Sequence, residues 1–307
     1  MFILLLKLLL LPMLAPMSVG IIRKIKAYMQ NRRGASIIQP YFDLWKLFHK
    51  DEVIAKDASW IFLWSPYLIF AISIILFSAI PLMSMLTNLP GLSDFLVVAY
   101  LIALMTFFLA LAGIDTGSMF GGFGASREMT LSALTEGTLL FSFVPIVLLT
   151  HTTEITAMAS ATIGLPLISY FPIAIGFLGF FIALMSETGR IPFDNAATHL
   201  ELTMIHEAMI LEYSGKRLAL IEWASANKFL FFIALGINLF FPWNLTGTDI
   251  FSFALSIGIT LAKICGLIVV VGLLESSIAK FRLFRLPDIL LTGLIFCIIA
   301  IIVTVIY

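Results

Sequence analysis

Between Ser186 and Arg217 the chain reads SETGRIPFDNAATHLELTMIHEAMILEYSGKR, which gathers Glu187, Asp194, Glu201, Glu207 and Glu212 with His199 and His206. Side chains of these types, so close together, can pass protons or hold cations. Asp194 and Glu201 are seven residues apart, as are His199 and His206, so on a helix each pair projects along one face. Pro192 suits the first turn of such a helix and Asp194 its positive end, while Gly215, next to Lys216 and Arg217, suits its stop.

Metal and covalent chemistry fit this stretch poorly. His206 and Glu207 begin an HE pair, but Met209 and Ile210 stand where a zinc protease motif needs its second histidine, so no metal site is expected. No Gly-x-Ser-x-Gly elbow occurs, and the glycine-rich GSMFGGFGAS, from Gly117 to Ser126, lacks the lysine of a P-loop. It reads as a flexible or closely packed loop. The two cysteines, Cys265 and Cys297, lie far apart in apolar runs, which excludes a disulfide framework and a cysteine metal pair.

A second set of ionisable residues sits inside or at the ends of apolar runs. Glu136 lies within LSALTEGTLLFSF, Glu128 precedes it by eight residues on the same side of a helix, Lys263 is central in its run, and Asp115, Glu187 and Glu275 close theirs. Ionisable groups at membrane depth face a bundle interior or water, and mark ion or proton paths. The competing reading is a set of structural ion pairs, with Lys7 snorkelling outward. Prolines 66, 81, 145, 166 and 172 can loosen helix hydrogen bonding and admit water.

The elements that must position these groups follow from composition. The 307 residues are 61% hydrophobic and 12% charged, with a mean hydropathy of +1.09, which places the chain in the membrane class and excludes a soluble enzyme. A helix needs about 20 apolar residues to cross a bilayer. Such runs occur near 1–22, 60–87, 94–113, 130–150, 164–186, 228–247, 250–274 and 288–307, giving an all-α polytopic protein of eight transmembrane helices. Apart from Lys7 and Lys263, all 18 Lys and Arg residues fall in or beside the connections after helices 1, 3, 5 and 7. The positive-inside rule therefore predicts both termini outside and cytoplasmic loops at 23–59, 114–129, 187–227 and 275–287. No repeat or linker divides the chain, so one integral membrane domain over 1–307 is expected. The basic loops are explained by topology and imply no nucleic acid. In the first loop, Pro40 opens an amphipathic segment with Tyr41, Leu44, Trp45, Leu47 and Phe48 on one side. It is expected to lie on lipid headgroups or to dock a partner.

ETGRIPFD followed by LEYSG, with RRG and the amphipathic segment after helix 1, resembles the quinone-module membrane subunit of respiratory complex I (the mitochondrial ND-one protein) and its relatives in membrane-bound hydrogenases. GIDTGSMFGGFGASRE and ESSIAKFR resemble the formate hydrogenlyase subunit 4 and hydrogenase-4 component C branch more closely. The resemblance implies a membrane-anchoring, proton-coupling subunit in a bacterial or archaeal cytoplasmic membrane. It would have no catalytic centre or cofactor of its own. Its implied partners are hydrogenase large and small iron-sulfur subunits, which carry a [NiFe] centre and iron-sulfur clusters, and antiporter-like membrane subunits. The implied proton path falls on Glu128, Glu136, Glu187, Asp194, Glu201 and Lys263. The implied docking surface comprises Arg32, Arg33, Asp43, Lys46, Arg190, Glu212 and Tyr213. Many relatives carry three glutamates after Pro-Phe-Asp, whereas this chain reads Ala197, Thr198, His199, Leu200, Glu201, Leu202. Either His199 joins the relay, histidine being the residue type whose unperturbed pKa suits exchange near neutrality, or coupling is weaker. The alternative function is the quinone-site membrane component of a complex I-type NADH:quinone oxidoreductase.

Overall fold

The computed structural model describes residues 2–55, 57–81, 91–194, 204–243 and 250–306. They form eleven α-helices and three short 3-10 turns, with no β-strand among the described residues. The helices are α1 (Phe2–Met29), α2 (Gln39–Phe48), α3 (Trp60–Leu76), α4 (Phe95–Asp115), α5 (Met119–Thr150), α6 (Ile155–Ile163), α7 (Tyr170–Glu187), α8 (His206–Ile210), α9 (Gly215–Phe240), α10 (Ile250–Ser277) and α11 (Leu286–Ile306). Eight helical spans are long and apolar enough to cross a membrane. The short α2, α6 and α8 are not among them.

Helix α9 is the hub of the bundle, and from Phe229 to Phe240 every side chain is buried. It is packed by α1, α2, α3, α6, α7 and α10, while α11 lies against α5 and α7, and α4 fills the space between α3 and α5. Phenylalanine dominates its contacts: Phe180 of α7 meets Phe232 and Phe240 of α9, with ring centroids 6.0 and 5.1 Å apart. Without a hydrophobic drive between helices in lipid, such van der Waals packing and close backbone approach hold the bundle.

Three boundaries differ from the sequence expectation. The GSMFGGFGAS stretch is mostly helix, as the first turns of α5. Its glycines let backbones touch: a Cβ on Gly121 would stand 2.1 Å from the Gly113 carbonyl oxygen, and one on Gly124 would stand 2.8 Å from Ala208 Cβ. Helix α9 begins at Gly215, well before the apolar run, so Gly215 starts a helix rather than stopping one. Its φ of +56° suits glycine, and the carbonyls of Lys50 and Asp51 crowd the space a side chain would need. Pro192 opens no helix: residues 188–193 form a turn in which the Arg190 carbonyl accepts from the amides of Phe193 and Asp194.

Several helix ends are closed by distant side chains. Asp115, at the end of α4, accepts from the amides of Ser59 and Phe62 and from the Ser59 hydroxyl, capping the start of α3. In α1, Pro16 has no N–H for the Pro12 carbonyl, and the Trp223 indole donates to that oxygen instead, at 2.8 Å. Lys7, earlier in the same helix, turns inward and is buried rather than snorkelling outward.

Candidate functional site

The ends of α1, α7 and α10, the starts of α5 and α9, and the short α8 converge at one end of the bundle, where the long connections lie. Glu187, the last residue of α7, is 4% exposed and accepts from Lys228 Nζ of α9 at 2.6 Å. The same ammonium donates to Thr106 Oγ1 of α4 at 3.3 Å. A buried carboxylate without a cation would be very costly, so α4, α7 and α9 are tied at this point by the charge they share. Lys228 lies more than three turns into α9, not at a loop edge as the sequence suggested.

Asp194 is 3% exposed and fixes the chain after the turn. Its carboxylate accepts from the amides of Ile205 and His206 at 3.1 and 2.8 Å and from Lys280 Nζ at 3.0 Å. The sequence placed Asp194 at the positive end of its own helix; it sits instead at the first amides of α8. Beside it, burial and then the positive charge of Lys228 push the His206 imidazole down to about 4, although Asp194 acts in the opposite sense. Burial, then the negative charges of Asp194 and Glu222, push the Glu207 carboxyl up to about 7, with Arg23 opposing. Across the same floor, Glu275 of α10 accepts from Lys26 Nζ of α1 at 2.9 Å and from Arg190 at 3.2 Å. The Arg190 guanidinium lies 4.3 Å from the centre of the Phe229 ring.

Two cavities and a groove connect these groups. A cavity of about 450 Å³ between α1, α2, α9 and the 188–194 turn is lined by Arg23, Lys26, Arg190, Glu207, Glu222 and Glu275 among others. A small one, of about 10 Å³, enough for roughly one water, is walled by Glu128, Ser132, Thr135, Ser186, Glu187, Asp194 and His206. Thr135 and Ser186 share a hydrogen bond of 2.9 Å across it. Beyond Ser132, whose hydroxyl donates to Glu136 at 2.7 Å, an apolar groove between α4 and α5 takes in Glu136, Tyr100 and Phe107. Glu128, Ser132 and Glu136, four residues apart along α5, thus lead from the small cavity to the outer side of the bundle.

The structure therefore brings together Glu128, Glu187 and Asp194 around one cavity, and places Glu136 next to it through Ser132. His199 and Glu201 lie outside the described residues. Lys263 stands apart from this cluster, donating to the carbonyls of Phe241 and Trp243 just past the far end of α9. Of the expected docking residues, Arg32, Arg33, Lys46 and Glu212 are exposed, and Asp43 is paired with Arg23 at 3.2 Å. Arg190 turns inward to Glu275. Tyr213 is buried rather than on the surface: its ring stacks on Phe62 at 4.0 Å and its hydroxyl donates to the Phe62 carbonyl. Helix α2 buries Pro40 and Leu44, brings Phe48 to 6.3 Å from Trp223, and leaves Phe42 and Trp45 exposed.

Lys228, Ser132, Thr106, Lys26 and Lys280 were not singled out as site residues from the sequence. Ser132 had one legible signal, its position four residues from both Glu128 and Glu136.

Against known proteins, the family model described as NADH dehydrogenase matches residues 1–306. Hydrogenase-4 component C of Escherichia coli (strain K12) is 35% identical over 271 residues, 88% of this chain and 85% of that protein. Formate hydrogenlyase subunit 4 of the same organism is 31% identical over 287 residues, 93% and 92% of the two chains. An NADH-quinone oxidoreductase subunit of Geobacter sulfurreducens is 31% identical over 215 residues, 64% of each chain. A chain of the membrane-bound sulfane sulfur reductase, described as an archaeal respiratory membrane complex, superposes with a TM-score of 0.84 over 98% of this chain and 99% of its own, at 20% identity, and so shares the fold. With its match to the family over almost its whole length and eight membrane-crossing helices in place, this chain belongs to the NADH dehydrogenase family of complex I-like membrane subunits.

Proposed function

We propose that this chain is the membrane-anchoring and proton-coupling subunit of a membrane-bound [NiFe] hydrogenase of the formate hydrogenlyase type, held in a bacterial or archaeal cytoplasmic membrane. The observation that carries the reading is the run of ionisable groups from the loop end of the bundle, through the small cavity walled by Glu128, Glu187, Asp194 and His206, to Glu136 in the groove between α4 and α5. The relatives named hydrogenase-4 component C and formate hydrogenlyase subunit 4 favour the hydrogenase branch over others.

In this reading a cytoplasmic module of hydrogenase large and small iron-sulfur subunits docks over the exposed Arg32, Arg33, Lys46 and Glu212. That module carries the [NiFe] centre and clusters, and supplies the redox chemistry. The residues of this chain respond to its charge. Uncovering or adding charge near Glu207 and His206 alters the field on the Glu187–Lys228 pair, because interactions between groups a few ångströms apart in a poorly solvated site are strong. The carboxylate and hydroxyl groups of Glu128, Ser132 and Glu136 then hand a proton, or a bias in pairing, to antiporter-like subunits on the outer side. The test is Glu136→Gln and Glu187→Gln in the assembled complex. Hydrogen evolution uncoupled from ion pumping is the expected result, and both activities at wild-type level would end the proposal.

A second reading, the quinone-site membrane component of a complex I-type NADH:quinone oxidoreductase, is favoured by the cavity of about 450 Å³, whose walls combine apolar side chains such as Val19, Ile22 and Ile221 with groups of both charges. Inhibition of the assembled complex by quinone analogues is its test.

A further inference from the structure

Away from the loop end, the central helix carries two asparagines that the packing does not satisfy. Asn227 is fully buried; its amide nitrogen donates to Ser73 Oγ of α3 at 3.0 Å, but its Oδ1 meets no hydrogen-bond partner among the described residues. Asn238, 1% exposed, has neither amide atom partnered among them, nor has Ser78 Oγ, in the 3-10 turn that ends α3, a partner there. Buried amides and hydroxyls are expensive to leave dry, and folded proteins meet that demand with internal water.

The two asparagines share one face of α9. Eleven residues are close to three helical turns, so Asn227 and Asn238 lie on one face of α9, about 16 Å apart along its axis. Asn227 meets Ser73, and Phe231, one turn on, packs edge-on to Phe77 with centroids 6.4 Å apart, so this face is turned on α3. At the inner end, Asn227 directly precedes Lys228, whose ammonium pairs with Glu187. At the outer end, beyond Ser78, the buried Lys7 donates to the Ile80 carbonyl at 3.0 Å. Between the two polar ends stand Phe77 and Phe231, each 0% exposed.

We propose that Asn227, Ser73, Ser78 and Asn238 line an internal water path between α3 and α9, which joins the Glu187–Lys228 pair to the membrane face opposite the long loops and is closed midway by Phe77 and Phe231. Amide and hydroxyl groups both donate and accept, so waters they hold form a wire for protons, and the aromatic pair interrupts it. Rotation of Phe231 reconnects the two halves. The site adds a route across the membrane to a reading that otherwise carries protons only toward neighbouring subunits. Its inner end is the buried pair of that reading, but the tests below need no redox activity, so the two fail separately.

The first test is thiol accessibility in the full chain within its membrane, with Cys265→Ser and Cys297→Ala as background. A small charged methanethiosulfonate is added from the face opposite the long loops to Ser78→Cys, Asn227→Cys and Asn238→Cys. Positions 78 and 238 are expected to react at least ten-fold faster than a lipid-facing control, Leu261→Cys, and position 227 ten-fold slower than 238 until Phe231→Ala is added. No reaction at 78 and 238 overturns the path, and reaction at 227 that Phe231→Ala leaves unchanged overturns the closure. The second test is passive proton flux through liposomes carrying the purified chain. Phe231→Ala, or Phe231→Leu if the first variant loses its gel-filtration profile, is expected to raise flux several-fold. Unchanged flux in a folded variant overturns the proposal.

Discussion

The Glu187–Lys228 pair offers the most direct test of the structural reasoning. The pair is 2.6 Å apart with side chains 3% and 7% exposed, so neither charge has water to fall back on. Removing one partner of a buried pair leaves a bare charge and costs about 3–5 kcal/mol, whereas replacing both with neutral groups of similar volume is often close to neutral. At about 2 °C per kcal/mol, suited to a chain of this size, Glu187→Gln and Lys228→Met should each lower the midpoint of thermal unfolding in detergent by about 6–10 °C. Lys228→Met should be the milder of the two, because the Glu187 it leaves behind borders the small cavity, while the Lys228 left by Glu187→Gln keeps its hydrogen bond to Thr106 but loses the carboxylate in contact with it. The double variant should recover most of the loss, so that it costs far less than the sum of the two single variants in the cycle. Strictly additive effects, or single variants within about 2 °C of wild type on this same scale, would refute the view that this pair ties α4, α7 and α9 together.

Other expectations follow from the loop end. The raised Glu207 carboxyl favours the folded state when protonated, so its stabilising contribution is complete below about 4.5 and lost as pH rises through about 7; Glu207→Gln should flatten that limb of a stability-against-pH curve. The lowered His206 works in the opposite sense, its contribution being present above about 6.5 and lost as pH falls through about 4, and His206→Gln should flatten the acid limb. Ser132→Ala should leave thermal stability within about 1 kcal/mol yet reduce ion pumping by the assembled complex, since Ser132 links the small cavity to Glu136; unchanged pumping removes Ser132 from the route. Gly121→Ala must push α5 away from the Gly113 carbonyl and should cost about 1–3 kcal/mol by the usual penalty of overpacking, read as a lower unfolding midpoint.

The spans were legible because lipid demands long apolar helices, and the hydropathy of α3, α4, α7 and α11 leaves no competing reading. The start of α9 was not, because Lys216, Arg217, Glu222 and Lys228 give its first half the look of a loop. Their partners lie elsewhere: Arg217 pairs with Glu52, and Lys228 with Glu187. A charge neutralised by a residue tens or hundreds of positions away carries no local signal. The same limit explains Lys26 and Arg190, which converge on Glu275 from α1 and from the turn after α7. The glycine run before Ser126 was ambiguous because glycine serves loops and close helix packing alike, and only the nearness of Gly113 and Ala208 decides between them. Glu187 and Asp194 stood out by type and place, whereas Tyr213 gave no hint that it would stack on Phe62.

The open carbonyl of Pro12 also bears on how the protein is made. Helix α1 leaves the ribosome before α9 does, and in lipid an unpaired backbone oxygen is costly. The indole that satisfies it belongs to Trp223, 211 residues further along the chain and in the sixth membrane-crossing helix. The first helix therefore waits, incompletely bonded, until the sixth has entered the bilayer and turned its tryptophan inward. Emergence of α1 and completion of its backbone hydrogen bonding are thus separated by the synthesis of 211 residues.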